Sequence, residues 1–280
     1  MPLVTTAEVV AGARDRGAAA AAFNVITLEH VEAVVLGART AGSPVVVQVS
    51  ENAVRYHGGA VLPLAAACRA AAEAAEVPVA LHLDHVEDVH LLHRTAEAGF
   101  SSVMFDASKL AYDDNVAATR SAAQWAHGHG LWLEAELGEI GGKDGAHAPG
   151  VRTKPEEAQS YVAATGVDAL AVAVGSSHAM TSRTASLDDG LIARLRDALD
   201  VPLVLHGSSG VADDDLRSAV AHGIAKVNIG TILNVAFTGA VREVLAADER
   251  LTDPRTYLVE ARRRTADVVA HLLGVVSGER

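Results

Sequence analysis

The 280-residue chain is half hydrophobic, only 4% aromatic, and carries a formal net charge of −12 at pH 7. Its length suits one α/β barrel or two smaller domains, with a core that must rest on Ala, Val and Leu. The acidic balance speaks against nucleic acid or an anionic membrane as partner, because both need a basic surface.

An anionic small substrate remains compatible with that charge, since a local pocket can hold one on backbone amides. Cys68 is the only cysteine, so no intramolecular disulfide can form and a reducing compartment is expected. The first residues lack the basic-then-apolar order of a signal peptide, and no apolar run approaches a membrane span. The expected location is the cytoplasm.

Apolar, β-rich runs alternate with Ala-rich amphipathic stretches eight times. The runs fall at 20–25, 44–50, 78–85, 102–107, 131–137, 169–175, 201–207 and 225–230. Helices are predicted after them at 28–41, 62–75, 88–98, 113–129, from 155, 187–199, 213–222 and 232–247, with a last one at 253–273. A long polar, Gly-rich segment at 138–153 precedes Pro155, a residue suited to a first helical turn. Continuous apolar runs indicate strands buried on both faces, as parallel sheets require. Strand–helix alternation with no shift in composition predicts a single (β/α)8 TIM barrel over 1–280, with an extra C-terminal helix. A doubly wound open sheet is the competitor, but no Gly-rich fingerprint follows the first strand.

Active sites of such barrels lie at the C-terminal ends of the strands, and that is where the polar residues of this chain collect. Strand one ends in Phe23-Asn24-Val25, strand two in Gln48-Val49-Ser50, strand three in Asp84-His85 and strand four at Asp106. Strand five carries Glu134 and Glu136; strand six runs into Ser176-Ser177-His178, strand seven into His206-Gly207-Ser208-Ser209, and strand eight holds Asn228. His85, His178 and His206 thus converge on one mouth, and three neutral imidazoles with an open position make the donor set of a catalytic zinc. Asp106 and Glu136 either orient those imidazoles or offer an alternative metal position.

Alternation along 81–85 places His85 with Leu81 and Leu83, opposite Asp84 and His82, so His82 is expected to be structural. The helix and loop histidines, His30 among them, are expected at the surface, and His147 stays undecided. Two Gly/Ser/Thr turns, 206–210 and 228–231, fit a phosphate held on backbone N–H groups after strands seven and eight. Lys226 is expected at the start of strand eight, at the far end from the mouth, which disfavours a Schiff-base lysine.

The chain resembles the class II, zinc-dependent fructose-bisphosphate and tagatose-bisphosphate aldolases. The resemblance is carried by AFNV at 22–25, LHLDH at 81–85, EAELGEIGG at 134–142, GVDALAVAVGSSH at 166–178, VPLVLHGSSG at 201–210 and KVNIGT at 226–231. It implies that His85, His178 and His206 bind Zn²⁺, with Asp106 and Glu136 at alternative metal positions. It implies that Asp84 moves the proton of the substrate's C4 hydroxyl and that Asp144 is the candidate for the proton at C3. It further implies a phosphate grip from Gly207, Ser208, Ser209, Asn228, Ile229, Gly230 and Thr231. A monovalent cation (Na⁺ or K⁺) would sit on the backbone near Ser177, Ala179, Gly207 and Ser209, and Asn24 and Ser50 would line the substrate pocket. The chain departs from the family's pattern at Ala179, where a glycine is usual, at Lys143-Asp144, where two acids are usual, and at Gly230.

The implied activity is reversible cleavage of a ketose 1,6-bisphosphate, fructose first, to dihydroxyacetone phosphate and glyceraldehyde 3-phosphate. The alternatives are tagatose 1,6-bisphosphate or another phosphorylated keto-sugar, and a non-catalytic barrel subunit of an aldolase complex. A zinc hydrolase would place a His-x-His pair on strand one, where this chain has Phe23-Asn24-Val25. The expected assembly is a homodimer or homotetramer.

Overall fold

The computed structural model describes residues 2–137, 152–176 and 183–278. Eight parallel strands close into a barrel in sequence order, with β1 pairing to both β2 and β8. They are β1 (Ala20–Asn24), β2 (Val45–Ser50), β3 (Val79–Val86), β4 (Ser102–Phe105), β5 (Trp132–Glu136), β6 (Ala169–Ala171), β7 (Leu203–Leu205) and β8 (Ile224–Ile229). Around them run α2 (Leu28–Ala41), α4 (Val61–Glu73), α6 (Tyr112–Gly128), α7 (Pro155–Thr165), α8 (Asp189–Ala198), α9 (Asp213–His222), α10 (Thr231–Ala247) and α11 (Pro254–Val276). The predicted helix at 88–98 is a single turn, α5 (Val89–Leu92).

Two helices were not expected. α1 (Thr6–Asp15) begins with a reciprocal capping box between Thr5 and Glu8, a local signal. α3 (Glu51–Tyr56) is capped by the Ser50 side chain. No helix among the described residues is long and apolar enough to cross a membrane.

The barrel wall has two apolar faces with different fillings. Outward residues such as Phe23, Val47, Leu81 and Leu83 join the helices in the main core. Inward Ala20, Ala22, Val46 and Ala80 cluster with Val9, Val10 and Ala13 of α1, which plugs the N-terminal end of the barrel. Small inward side chains leave room for that plug, which is one use of the Ala-rich composition. Above this layer the interior turns polar: Gln48, His82, Asp84, Ser102, Glu134, Glu136, Lys226 and Asn228 are all buried.

α11 lies against α2, and the close approach depends on one glycine. A Cβ on Gly37 would meet the Ala266 carbonyl oxygen and Val269 Cβ at 2.6 Å each. Gly37→Ala favours an isolated helix by about 1 kcal/mol, but overpacking here is expected to lower stability by about 1–3 kcal/mol. The check is the urea midpoint at unchanged m-value; a midpoint at or above wild type would mean that α11 yields freely.

His30 corrects a sequence expectation. It is buried, not at the surface, stacked on Phe237 of α10 with centroids 4.4 Å apart and with Nδ1 3.0 Å from Thr27 Oγ1. Burial pushes its pKa down.

Candidate active site

The strand-three motif departs from simple alternation. β3 and β4 pair at Leu83↔Val103 and again at Val86↔Phe105, so Asp84 and His85 together oppose Met104. One extra residue in a strand is a β-bulge, and His85 absorbs it with a left-handed backbone, φ 48°. Strict alternation would have sent His85 outward with Leu81 and Leu83. The bulge instead gives Asp84 and His85 the same cavity and returns Val86 to the outer core. His82 also faces inward, one layer lower, where its Nδ1–H donates to Ser102 Oγ at 2.8 Å and Ser102 donates on to Thr6 Oγ1. Burial, reinforced by the Lys226 charge, keeps its pKa well below the usual value.

Asp84 is held by an arc of amides. Its Oδ2 accepts from Asn24 Nδ2 at 3.0 Å and Gln48 Nε2 at 3.4 Å, and its Oδ1 from Asn228 Nδ2 at 3.4 Å. Gln48 also donates to Asn24 Oδ1 at 2.8 Å, which fixes the asparagine's orientation. Gly230 leaves room for Asn24, since a Cβ there would lie 3.0 Å from Asn24 Oδ1.

Across the mouth, His206 is fully buried, with its ring centroid 4.8 Å from that of His85. Its Nε2–H donates to Glu134 Oε1 at 2.9 Å, and its Nδ1 lies 3.5 Å from Glu136 Oε2. His85 Nδ1–H donates to Asp106 Oδ2 at 3.0 Å, while Asp106 Oδ1 accepts from the N–H and hydroxyl of Ser108. Burial alone would push His85 down, but the Asp84, Glu136 and Asp106 carboxylates outweigh it and raise the imidazole to about 10. Burial likewise opposes ionisation of Asp106, and the His85 and Ser108 contacts hold its carboxyl well below the usual range.

The donor atoms of His85, Glu136 and His206 all lie within 4.8 Å of one another. His85 Nδ1 and His206 Nε2 each face a carboxylate outside the donor cluster, the kind of partner that orients metal-binding imidazoles, and Glu136 stands beside His206 Nδ1 as a further donor. The surroundings also suit a divalent cation, because Asp84, Asp106, Glu134 and Glu136 are offset among the described residues by the Lys226 ammonium and by a His85 proton that these carboxylates hold and a metal would replace. The donor set therefore fits a divalent ion of the N/O-preferring kind.

The turn after β7 starts at Gly207 in a left-handed conformation, φ 67°. Ser208 Oγ donates to the Asn228 carbonyl at 2.6 Å, and the Ile232 N–H donates to Ser209 Oγ at 3.2 Å. Those bonds bring the turn against the N-terminus of α10, where Gly230 and Thr231 join Gly207 and Ser209 around the opening. The cavity has a volume of about 660 Å³, and its lining also includes Asn24, Ser50, Asp84, His85 and Asn228. No Lys or Arg lines it among the described residues. Arg262 instead pairs with Glu32, and Arg255 with Asp253. Ile229 is buried in β8. Asp144, Ser177, His178 and Ala179 lie outside the described residues, as do Lys143 and His147.

Three participants were named from sequence without a part in the site. Gln48 was placed at the end of strand two but given no role. Glu134 was placed on strand five beside Glu136 but given no role, although the two-residue spacing puts both on one face. Lys226 is not at the far end of β8. It is fully buried at mid-strand, with Nζ donating to Glu134 Oε2 and Asn228 Oδ1, both at 2.7 Å. That ion pair lies beneath Asn228 and still leaves no lysine for a Schiff base among the described cavity residues.

Comparison with known proteins finds the same family and fold over nearly the whole chain. The family model described as fructose-bisphosphate aldolase class-II matches residues 4–279. The chain is 39% identical over 273 residues to the probable fructose-bisphosphate aldolase of Bacillus subtilis (strain 168), covering 96% of this chain and 95% of the relative. Among solved structures, the YdjI aldolase of Escherichia coli K12 superposes with a TM-score of 0.84 at 31% identity, covering 98% of this chain and 97% of that one. The fructose-bisphosphate aldolase of Campylobacter jejuni, at 24% identity, shares the fold with a TM-score of 0.84, covering 99% of this chain and 96% of that one. This chain belongs to the class-II fructose-bisphosphate aldolase family, and it is a lyase of the aldolase type.

Proposed function

We propose that the chain is a zinc-dependent aldolase that reversibly cleaves a ketose 1,6-bisphosphate, fructose first and tagatose second. The products would be dihydroxyacetone phosphate and glyceraldehyde 3-phosphate. The observation that carries this reading is the shared mouth: a carboxylate gripped by three amides beside the His85, Glu136 and His206 donors.

In this reading Asp84 accepts the C4 hydroxyl proton as the C3–C4 bond breaks, its lone pair aimed by Asn24, Gln48 and Asn228. The electron pair of that bond passes to the C3 side, and Asp144 returns a proton to C3. His85, His178 and His206 would hold the metal, with Glu136 and Asp106 able to take part as it moves. Bound zinc would supply Lewis-acid charge stabilisation on the side of the substrate that becomes electron-rich.

Gly207, Ser208, Ser209 and the 228–231 turn would take one phosphate at the N-terminus of α10. A monovalent cation on the backbone near Ala179, Gly207 and Ser209 would assist it. Asn24 and Ser50 would face the sugar hydroxyls. We assign the enzyme to the cytoplasm as a homodimer or homotetramer, for which Val235 and Val259, about half exposed on α10 and α11, offer apolar surface.

One observation favours a second reading. The described lining holds no Lys or Arg for a distal phosphate, so a ketose carrying a single phosphate is the competing substrate class. The test is a coupled cleavage assay with added Zn²⁺ on fructose and tagatose 1,6-bisphosphates beside the corresponding 1-phosphates. The first reading expects the bisphosphate to lead in kcat/KM by at least about tenfold, the worth of one charged contact. Equal or better turnover of the 1-phosphates selects the second reading, and no turnover of any ketose phosphate overturns both.

A further inference from the structure

We infer that Lys226 is a positioning residue for the aldol reaction: from beneath the site it dictates which face Asn228 turns to Asp84 and the substrate. The inference rests on the aldolase reading above and goes beyond it, because Lys226 touches neither the cavity nor the metal donors.

An ammonium can only donate. The Asn228 side-chain atom 2.7 Å from Lys226 Nζ must therefore be the oxygen. The amide nitrogen is then forced to the other side, where it donates to Asp84 Oδ1 at 3.4 Å, although His206 Nε2, 2.9 Å away with its proton turned to Glu134 Oε1, would by itself favour the oxygen. Amide orientation is otherwise open to a flip that costs little. Flipped here, the oxygen would face the Asp84 carboxylate, and two acceptors would oppose one another where a donor is needed.

The second Lys226 contact, 2.7 Å to Glu134 Oε2, fixes the ammonium from the opposite side. Glu134 spends its other oxygen on His206. One buried cation thus ties together the amide beside the proton-transfer carboxylate and the carboxylate behind a metal-facing imidazole. Both charges are fully buried, and such a pair is costly to keep for stability alone. Gln48 and Asn24 lock each other from above; Lys226 is the lock on the third amide.

The test is Lys226→Met, made in wild-type and in Asn228→Ala protein and assayed with Zn²⁺ on whichever ketose phosphate the wild type turns over best. Expected is a kcat about 30-fold lower, KM within about 3-fold and unchanged zinc per chain. In the Asn228→Ala background the same substitution should cost less than about 3-fold, because the two residues act as one unit. Since Lys226→Met strands a buried Glu134 charge and can prevent folding, the volume-matched Glu134→Gln/Lys226→Met pair is carried in parallel and compared with Glu134→Gln alone at equal zinc loading. Crystal structures of the folded variants should find Asn228 turned away from Asp84.

A kcat within 2-fold of wild type, a deficit that multiplies with that of Asn228→Ala, or an Asn228 that keeps its contact with Asp84 overturns the inference. A wild-type protein inactive on every ketose phosphate overturns the functional reading instead, and the crystal structures then decide the Lys226 question by themselves.

Discussion

Asp84→Ala is expected to lower kcat for ketose-phosphate cleavage about 1000-fold, the range lost when a positioned acid/base is removed, with zinc content unchanged. The expectation follows from what Asp84 touches. Its two oxygens are engaged by Asn24, Gln48 and Asn228, and it is absent from the His85, Glu136 and His206 donor cluster. Alanine also leaves those amides without their acceptor, at about 1–3 kcal/mol for each buried donor left unpaired. Asp84→Asn, which keeps the shape and one acceptor oxygen, is therefore the companion variant. It should lose activity to a similar extent while retaining more stability. Loss of zinc in either variant would make Asp84 a ligand, and turnover within about tenfold of wild type would move the proton transfer elsewhere.

Metal removal is the second large effect. Treatment with EDTA should drop cleavage below about one-thousandth of the loaded enzyme, and stoichiometric Zn²⁺ should restore it. Stability should move with it. Without the metal, Asp84, Asp106, Glu134 and Glu136 are offset among the described residues by Lys226 and the protonated His85. A ligand that binds only the folded state stabilises by about 2.7 kcal/mol at a hundred times its Kd, a rise of a few degrees in Tm for a chain this size. Activity that survives chelation, together with a Tm that ignores zinc, would sink the metal-dependent mechanism. Glu134→Gln should weaken zinc binding without removing a donor, since it slackens the Glu134 grip on His206 Nε2.

Much of this was legible along the chain because it is local or periodic. Eight apolar runs alternating with amphipathic segments reflect strands that must hide both faces, and closure into a barrel follows from that repetition. The site could be located because strand C-termini are where this architecture exposes backbone ends and loops. Asn24, Ser50, Asp84, His85, Gly207, Ser209, Asn228, Gly230 and Thr231 do line one cavity.

Only the tertiary structure decided which way particular side chains point. Period-two alternation separated Asp84 from His85, and the bulge against β4 put both into the cavity. A bulge is a property of a strand pair, so one strand read alone cannot reveal it. Lys226 was misplaced for a related reason. A lysine near the start of an apolar strand reads as a solvent-facing end, and its burial becomes tolerable only because Glu134, 92 positions earlier, meets it across the barrel. His30 is buried because Phe237, from the last unit of the barrel, covers it. Composition, period and strand-end chemistry determined the family of structures and the end of the barrel at which the cavity opens. Long-range pairing of charges and rings, which no local window contains, determined its working geometry.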